Sequence, residues 1–273
     1  MILILKFFFR KIQYVIIRKI ESYPYLNLLI LNNLRFFKFL LPHDKDFLGM
    51  KLILNKSSDG LFLDIGANIG ASTMSIRSMG FNQKIYLFEP NYYLFKRYLI
   101  NLKSIYKNIK IFNLALGNKN KSIFFYIPYY KKVCIHYFSS FDKNYIKNSI
   151  SATFGNIKFN LKKKKILIVK YDDLKIKEKV SFIKIDVEGF DLQVISGLEE
   201  VIKKHKPILL IEYNEITFYT LLKVLKNYEA YIYNINNNSL DKVKLNNIYR
   251  TINRFDPQNL LSVRNIYFLP LKN

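Results

Sequence analysis

Acidic side chains are scarce in this chain. Twenty Asp and Glu stand against 44 Lys and Arg, a formal net charge of +24 over 273 residues. Such an excess attracts nucleic acid, anionic lipid or an acidic glycan. Tryptophan is absent, while Lys, Asn, Ile, Phe and Tyr are abundant. An AT-rich genome tends to write this composition, which makes much of the excess Lys a solvated face. No zinc-finger, RNP or basic-zipper pattern accompanies the charge, so no specific nucleic acid is expected. The single cysteine, Cys134, excludes an intramolecular disulfide and suits a reducing, cytoplasmic compartment. His43, His136 and His205 are scattered, with no C-x-x-C or H-E-x-x-H, which argues against structural zinc. At the N-terminus, charges break the apolar run well short of the ~20 residues of a membrane span. Arg10-Lys11 likewise interrupts any signal-peptide core. Half of the residues are hydrophobic, enough to bury the core of one large α/β domain with extensions.

What is present is organised around Leu61-Phe62-Leu63-Asp64-Ile65-Gly66-Ala67-Asn68-Ile69-Gly70. An apolar run interrupted only by Asp64 reads as a parallel strand covered on both faces. Gly66 and Gly70 bracket a turn that needs positive φ and lets a ligand approach the backbone. A helix over 71–78 then offers free N–H groups at its start. A dinucleotide site wants G-x-G-x-x-G, but Asn68 stands where the second glycine would be. Its side chain hinders a pyrophosphate, and the Asp64 carboxylate suits a cationic ligand. S-adenosylmethionine (SAM), with an ammonium, a sulfonium and no phosphate, meets both conditions. Nineteen residues after Gly70, the strand Ile85–Phe88 ends in Glu89-Pro90-Asn91. That spacing places Glu89 at the carboxyl edge of the neighbouring strand, where an acid accepts ribose hydroxyls. The same recurs in Ser181–Ile185, ending in Asp186-Val187-Glu188-Gly189, and in Ile208–Ile211, ending in Glu212. Four strand ends therefore carry acids at the edge where open α/β sheets bind ligands.

The remainder fills in around that edge. Leu5, Phe9, Ile12, Ile16 and Ile20 form one apolar helix face, with Lys6, Arg10 and Arg18 mostly opposite. Two readings stay open for residues 1–20: peripheral contact with an anionic membrane, or packing on the chain or a partner. Residues 1–55 read as an N-terminal helical extension and 56–273 as a Rossmann-like domain. The stretch Leu114-Ala115-Leu116-Gly117 offers small residues where an adenine could lie flat. Residues 128–160 break the α/β rhythm as a long aromatic loop containing His136, which reads as an insertion or substrate lid. Lys162–Lys165 reads as a solvated charge run and Ile166–Val169 as a strand.

Phe62–Gly70, Phe88-Glu89-Pro90-Asn91, Asn113-Leu114-Ala115-Leu116-Gly117 and Lys184-Ile185-Asp186-Val187-Glu188-Gly189, in that order, closely resemble the FkbM family of SAM-dependent methyltransferases. The resemblance covers roughly 61–214. It implies a class I methyltransferase fold, with a seven-stranded, mostly parallel sheet, one antiparallel strand near the C-terminus and helices on both faces. It also implies O-methylation, commonly of a sugar or natural-product hydroxyl. By the same resemblance Asp64, Gly66, Ala67, Asn68 and Gly70 line the methionine end of SAM and Glu89 the ribose. Asn91 and Ala115 fall on the adenine side, and Asp186 and Glu188 face the transferred methyl. For the base that deprotonates the acceptor, Glu188 comes first, Asp186 second, with Glu212 and His136 in reserve. The clustered carboxylates suit either Mg²⁺ or the SAM ammonium and substrate hydroxyls. The acceptor is then a small molecule or glycan. A nucleic-acid methyltransferase would show an Asn- or Asp-Pro-Pro-Tyr element, which is missing. The other alternative is a non-catalytic polyanion- or membrane-binding module.

Overall fold

A computed structural model describes residues 42, 44–54, 59–243 and 264–271. The amphipathic stretch 1–20, the apolar patches 26–31 and 34–41, and His43 lie outside the described residues. The described chain divides into two compact units, one within 38–123 and 165–273, the other spanning Phe124–Lys164.

The larger unit begins with a 3₁₀ turn (Lys45–Gly49) and the short helix α1 (Met50–Ile53). Strand β1 (Leu61–Ile65) then enters the glycine turn and helix α2 (Ala71–Ser78). Strand β2 (Lys84–Phe88) is followed by α3 (Tyr92–Leu94), a π-helical turn (Phe95–Leu99) and α4 (Ile100–Ile105). Strands β3 (Ile109–Phe112) and β4 (Ala115–Leu116) complete the first half. Two ten-residue strands, β5 (Lys121–Tyr130) and β7 (Asn160–Val169), enclose β6 (Val133–Cys134) and helix α5 (Lys143–Phe154). The second half holds β8 (Val180–Ile185), α6 (Asp191–Gly197), α7 (Glu199–His205), β9 (Ile208–Glu212) and α8 (Glu215–Val224). It ends with β10 (Tyr228–Asn234), β11 (Ser239–Lys242) and β12 (Asn265–Pro270).

Among the described residues the main sheet has eight strands, in the order β11-β10-β12-β9-β8-β1-β2-β3. Five of them, β3-β2-β1-β8-β9, are parallel, and β12 runs against both β9 and β10. Seven strands with one reversed match the expectation. The eighth, β11, adds a hairpin to β10 across 235–238, where the sequence reads as a strand to Ile235 and a turn over Asn236–Ser239 with no strand behind it. The polar Ser239–Lys242 carries little strand signal by itself, and the pairing with β10 supplies it.

Alternation explains the core. On β1, Leu61, Leu63 and Ile65 join one apolar cluster with Ile183, Ile185 and Val194, while Phe62 joins a second with Met74, Ile85, Leu87, Phe182 and Leu210. Side chains of a strand point alternately to opposite faces. A strand buried on both faces therefore reads as a continuous apolar run. The two clusters are the two faces of the sheet, and helices cover both.

In the smaller unit, residues 128–160 are structured and not one long loop. Asp142 caps α5 by accepting from the N–H groups of Asn144 and Tyr145, and Gly155, at φ +69°, ends it. Ile146 and Ile150, one turn apart, bury its inner face with Val133 and Ile135. The cap, the i, i+4 pair and the glycine stop are all present in the sequence.

Candidate active site

Register places the acids on one rung. Ile65 lies opposite both Phe88 and Ile185, and Ile185 opposite Ile211. The next residue on each strand is Gly66, Glu89, Asp186 or Glu212. Parity then puts the side chains on one face. Asp64 follows Phe62, Lys184 and Asp186 follow Phe182, Glu212 follows Leu210, and Glu89 continues the Ile85, Leu87 series. The face that buries the Phe62 cluster thus turns polar at its carboxyl edge.

The glycine turn is clamped to that edge. The N–H groups of Gly66 and Ala67 both donate to the Phe88 carbonyl (3.0 and 3.1 Å), and the Gly70 N–H to the Ala67 carbonyl (2.7 Å). Gly66 sits at φ +79°, and a Cβ there would lie 1.8 Å from the Asp186 carbonyl oxygen, so no other residue fits. Glu89 ties the turn to the segment after β2. One carboxylate oxygen accepts the Asn68 N–H and the other the Asn91 N–H, each at 2.8 Å, and Asn113 Nδ2 donates to its carbonyl at 2.8 Å. Burial, outweighing those backbone donors, pushes its carboxyl up to about 7 from 4.5. Two buried polar atoms beside it have no hydrogen-bond partner among the described residues: Asn68 Oδ1, an acceptor, and Asn91 Nδ2, a donor. Native interiors satisfy such atoms. An acceptor and a donor flanking a carboxylate suit the hydroxyls and base nitrogens of a nucleoside.

The second centre surrounds a buried cation. Lys184, to which the sequence motifs assign no role, is 2% exposed and places Nζ 2.8 Å from Asp186 Oδ2. It stands directly opposite Asp64 on β1. Burial alone would lower the Lys184 pKa, but the Asp186 and Asp64 carboxylates raise it, so it stays charged. Asp186 is held below its ordinary range: burial opposes the charge, and Lys184 with a hydrogen bond from Glu212 overcomes it. Burial, then the Asp186 and Glu188 charges, push Glu212 well above the ordinary range, so the proton shared by the pair resides on Glu212. Glu188 completes the group at φ +51°, a left-handed conformation unusual for a non-glycine residue. Asp186, Glu188 and Glu212 each offer an oxygen, all within 4.8 Å of one another. This set suits Mg²⁺ poorly. A hard dication wants free anionic oxygens, whereas Lys184 Nζ already occupies Asp186 Oδ2.

Other expected site residues lie differently. Asp64, expected at the methionine end, is wholly enclosed, accepts from Thr73 Oγ1 at 2.8 Å, and acts on Lys184 and Glu89 at the edge through its charge. Ala115 is buried in β4 opposite Ile168. The glycine after it, Gly117, is not left open for a ring: a Cβ on Gly197 would lie 2.0 Å from its carbonyl oxygen, so the pair lets α6 pack closely. His136 is buried in a 3₁₀ turn of the smaller unit, its ring 4.0 Å from that of Tyr137. Asp191, which reads in sequence as a helix cap, is buried at the start of α6. Burial and the nearby Asp186 charge raise its carboxyl to about 7.

A family model, the methyltransferase FkbM domain, matches residues 64–242. The chain belongs to the FkbM methyltransferase family. Its sheet has the class I methyltransferase architecture. No curated protein matches it in sequence. Among solved structures, it resembles an FkbM methyltransferase from Methylobacillus flagellatus KT at 16% identity and a TM-score of 0.48, over 81% of this chain and 47% of that one. It therefore spans about half the length of that protein. It also resembles the precorrin-6y C5,15-methyltransferase of Geobacter metallireducens GS-15, at 12% identity and a TM-score of 0.38, over 83% and 86% of the chains. A third likeness is to a fibrillarin/Nop5p complex, at 13% identity and a TM-score of 0.40, over 86% and 84%.

Proposed function

We infer that this FkbM domain binds SAM at the β1–β2 edge and methylates a hydroxyl oxygen of a sugar or natural product. The observation that carries the reading is the Glu89 clamp, with Asn68 Oδ1 and Asn91 Nδ2 unsatisfied on either side of it. Bound there, SAM supplies an electrophilic methyl on a sulfonium. The chain's residues do the rest. Glu89 holds the loop and takes ribose hydroxyls on its remaining lone pairs. Glu188 takes the proton that the acceptor hydroxyl gives up. Asp186 is a poorer base, because Lys184 and Glu212 both stabilise its charged form. Protonated Glu212 and buried Lys184 keep Asp186 oriented, so the edge presents one fixed anion and one working base.

Calorimetric titration with S-adenosylhomocysteine, beside NAD as a control, tests this. The expected result is binding of S-adenosylhomocysteine alone. Glu89→Gln should weaken it at least about tenfold, the scale of a lost hydrogen bond to a charged group, and Glu188→Gln should leave it unchanged. No binding by the wild type, or binding of NAD instead, overturns the assignment.

A further inference from the structure

The smaller unit is strongly basic. Phe124–Lys164 contains eight lysines (Lys131, Lys132, Lys143, Lys147, Lys158 and Lys162 to Lys164) and a single acid, Asp142. That acid is engaged as the cap of α5. The lysines are arranged about aromatic rings. Lys163 Nζ lies 3.5 Å from the Phe124 ring centroid, Lys162 Nζ 4.2 Å from that of Tyr129, and Lys143 Nζ 4.8 Å from that of Tyr126. Along β7, Leu161 shares the parity of Lys163 and so the face of Phe124. Phe124 is 47% exposed and Leu161 36%. One apolar residue in water is ordinary. An exposed phenylalanine and leucine sharing one face with Lys163, on a strand whose Lys162 and Lys164 are exposed on the other face, call for a partner.

We propose that this β5–β7 surface docks on an anionic lipid bilayer. The lysines require a negatively charged partner. A soluble polyanion would neutralise them and leave Phe124 and Leu161 wet. A bilayer interface takes both, because apolar side chains enter the headgroup region while lysine stems lie along it with their ammonium groups among lipid phosphates.

The test is vesicle partitioning of the full chain, comparing phosphatidylglycerol-containing vesicles with pure phosphatidylcholine. The expected result is binding to the anionic vesicles only, weakened by salt. Lys163→Gln should reduce the partition coefficient about 5-fold, the contribution of one lysine near an anionic surface. Phe124→Ser should remove the fraction that survives high salt. Variants that partition like the wild type would overturn the proposal, since residues 1–20 would then carry any binding. Retention on a heparin column with no vesicle binding would also overturn it, in favour of a soluble polyanion.

Discussion

Lys184 holds a full positive charge at 2% exposure, among Asp64, Asp186 and Glu212. Taking a lone ammonium out of water is strongly unfavourable, and the two neighbouring carboxylates on the same sheet face offset it. Removing the cation strands the anions. We expect Lys184→Met to cost about 3–5 kcal/mol, the range for breaking a buried pair by deleting one partner, as measured by urea denaturation. Adding Asp186→Asn should recover part of the loss. A Lys184→Met protein as stable as the wild type would show that the charge is not buried as described. Lys184 is invisible to motif reading for a physical reason. Its near partner, Asp186, reads in sequence only as a site acid, and its second, Asp64, follows from a register that sets the two strands side by side, 120 positions apart.

The glycine turn is the element whose conformation is most legible in the sequence. Gly66 and Gly70 take φ of +79° and +83°, as the turn requires, and Asn68 joins them at +50°. The two glycines differ in what surrounds them. A Cβ at Gly70 would meet Leu102 Cδ1, the end of a flexible side chain, whereas at Gly66 it would meet the backbone just past β8. Gly66→Ala should therefore cost about 3 kcal/mol or more, from the left-handed backbone and the overlap together. It should also abolish S-adenosylhomocysteine binding, while Gly70→Ala remains milder on both counts. Equal melting temperatures for Gly66→Ala and wild type would overturn this. Other elements are less legible. Residues 191–201, which read in sequence as one helix, break at Leu198 into α6 and α7, and α5 lies inside the stretch that reads as a loop. In α5 the polar and β-branched content of Lys143–Phe154 masks a modest apolar stripe.

Across the whole molecule, buried acids set the pH dependence. Burial first raises Glu89 and Asp191 to about 7 and Asp46 to about 6, from ordinary values of 4.5, 3.8 and 3.8. Between about pH 4 and 7 the folded protein thus holds more protons than the unfolded chain, and stability falls as pH rises through that window. Asp186, shifted the other way, contributes stability that is present above its unfolded value and lost only as pH falls through its lower folded value. The ligand-free protein should therefore melt higher at pH 5 than at pH 8 in salt that screens its surface charge, and Glu89→Gln should narrow the difference. A stability that rises steadily from pH 5 to 8 would contradict the burial of these acids.

The sequence by itself determined the strands of the parallel sheet, the glycine turn between β1 and α2, and the acids at four strand ends. Each depends on a local rule: period-two burial, the positive φ that glycine permits, and the chain direction that brings parallel strands to one edge. Only tertiary structure decided that Lys184 faces Asp64, that Glu212 keeps the proton Asp186 gives up, and that the Asp46 carboxylate anchors β12 by accepting the N–H groups of Arg264 and Asn265, more than 200 positions away. These depend on register and burial between segments remote in the chain, and the electrostatics of a buried charge belong to the neighbours that folding assembles around it.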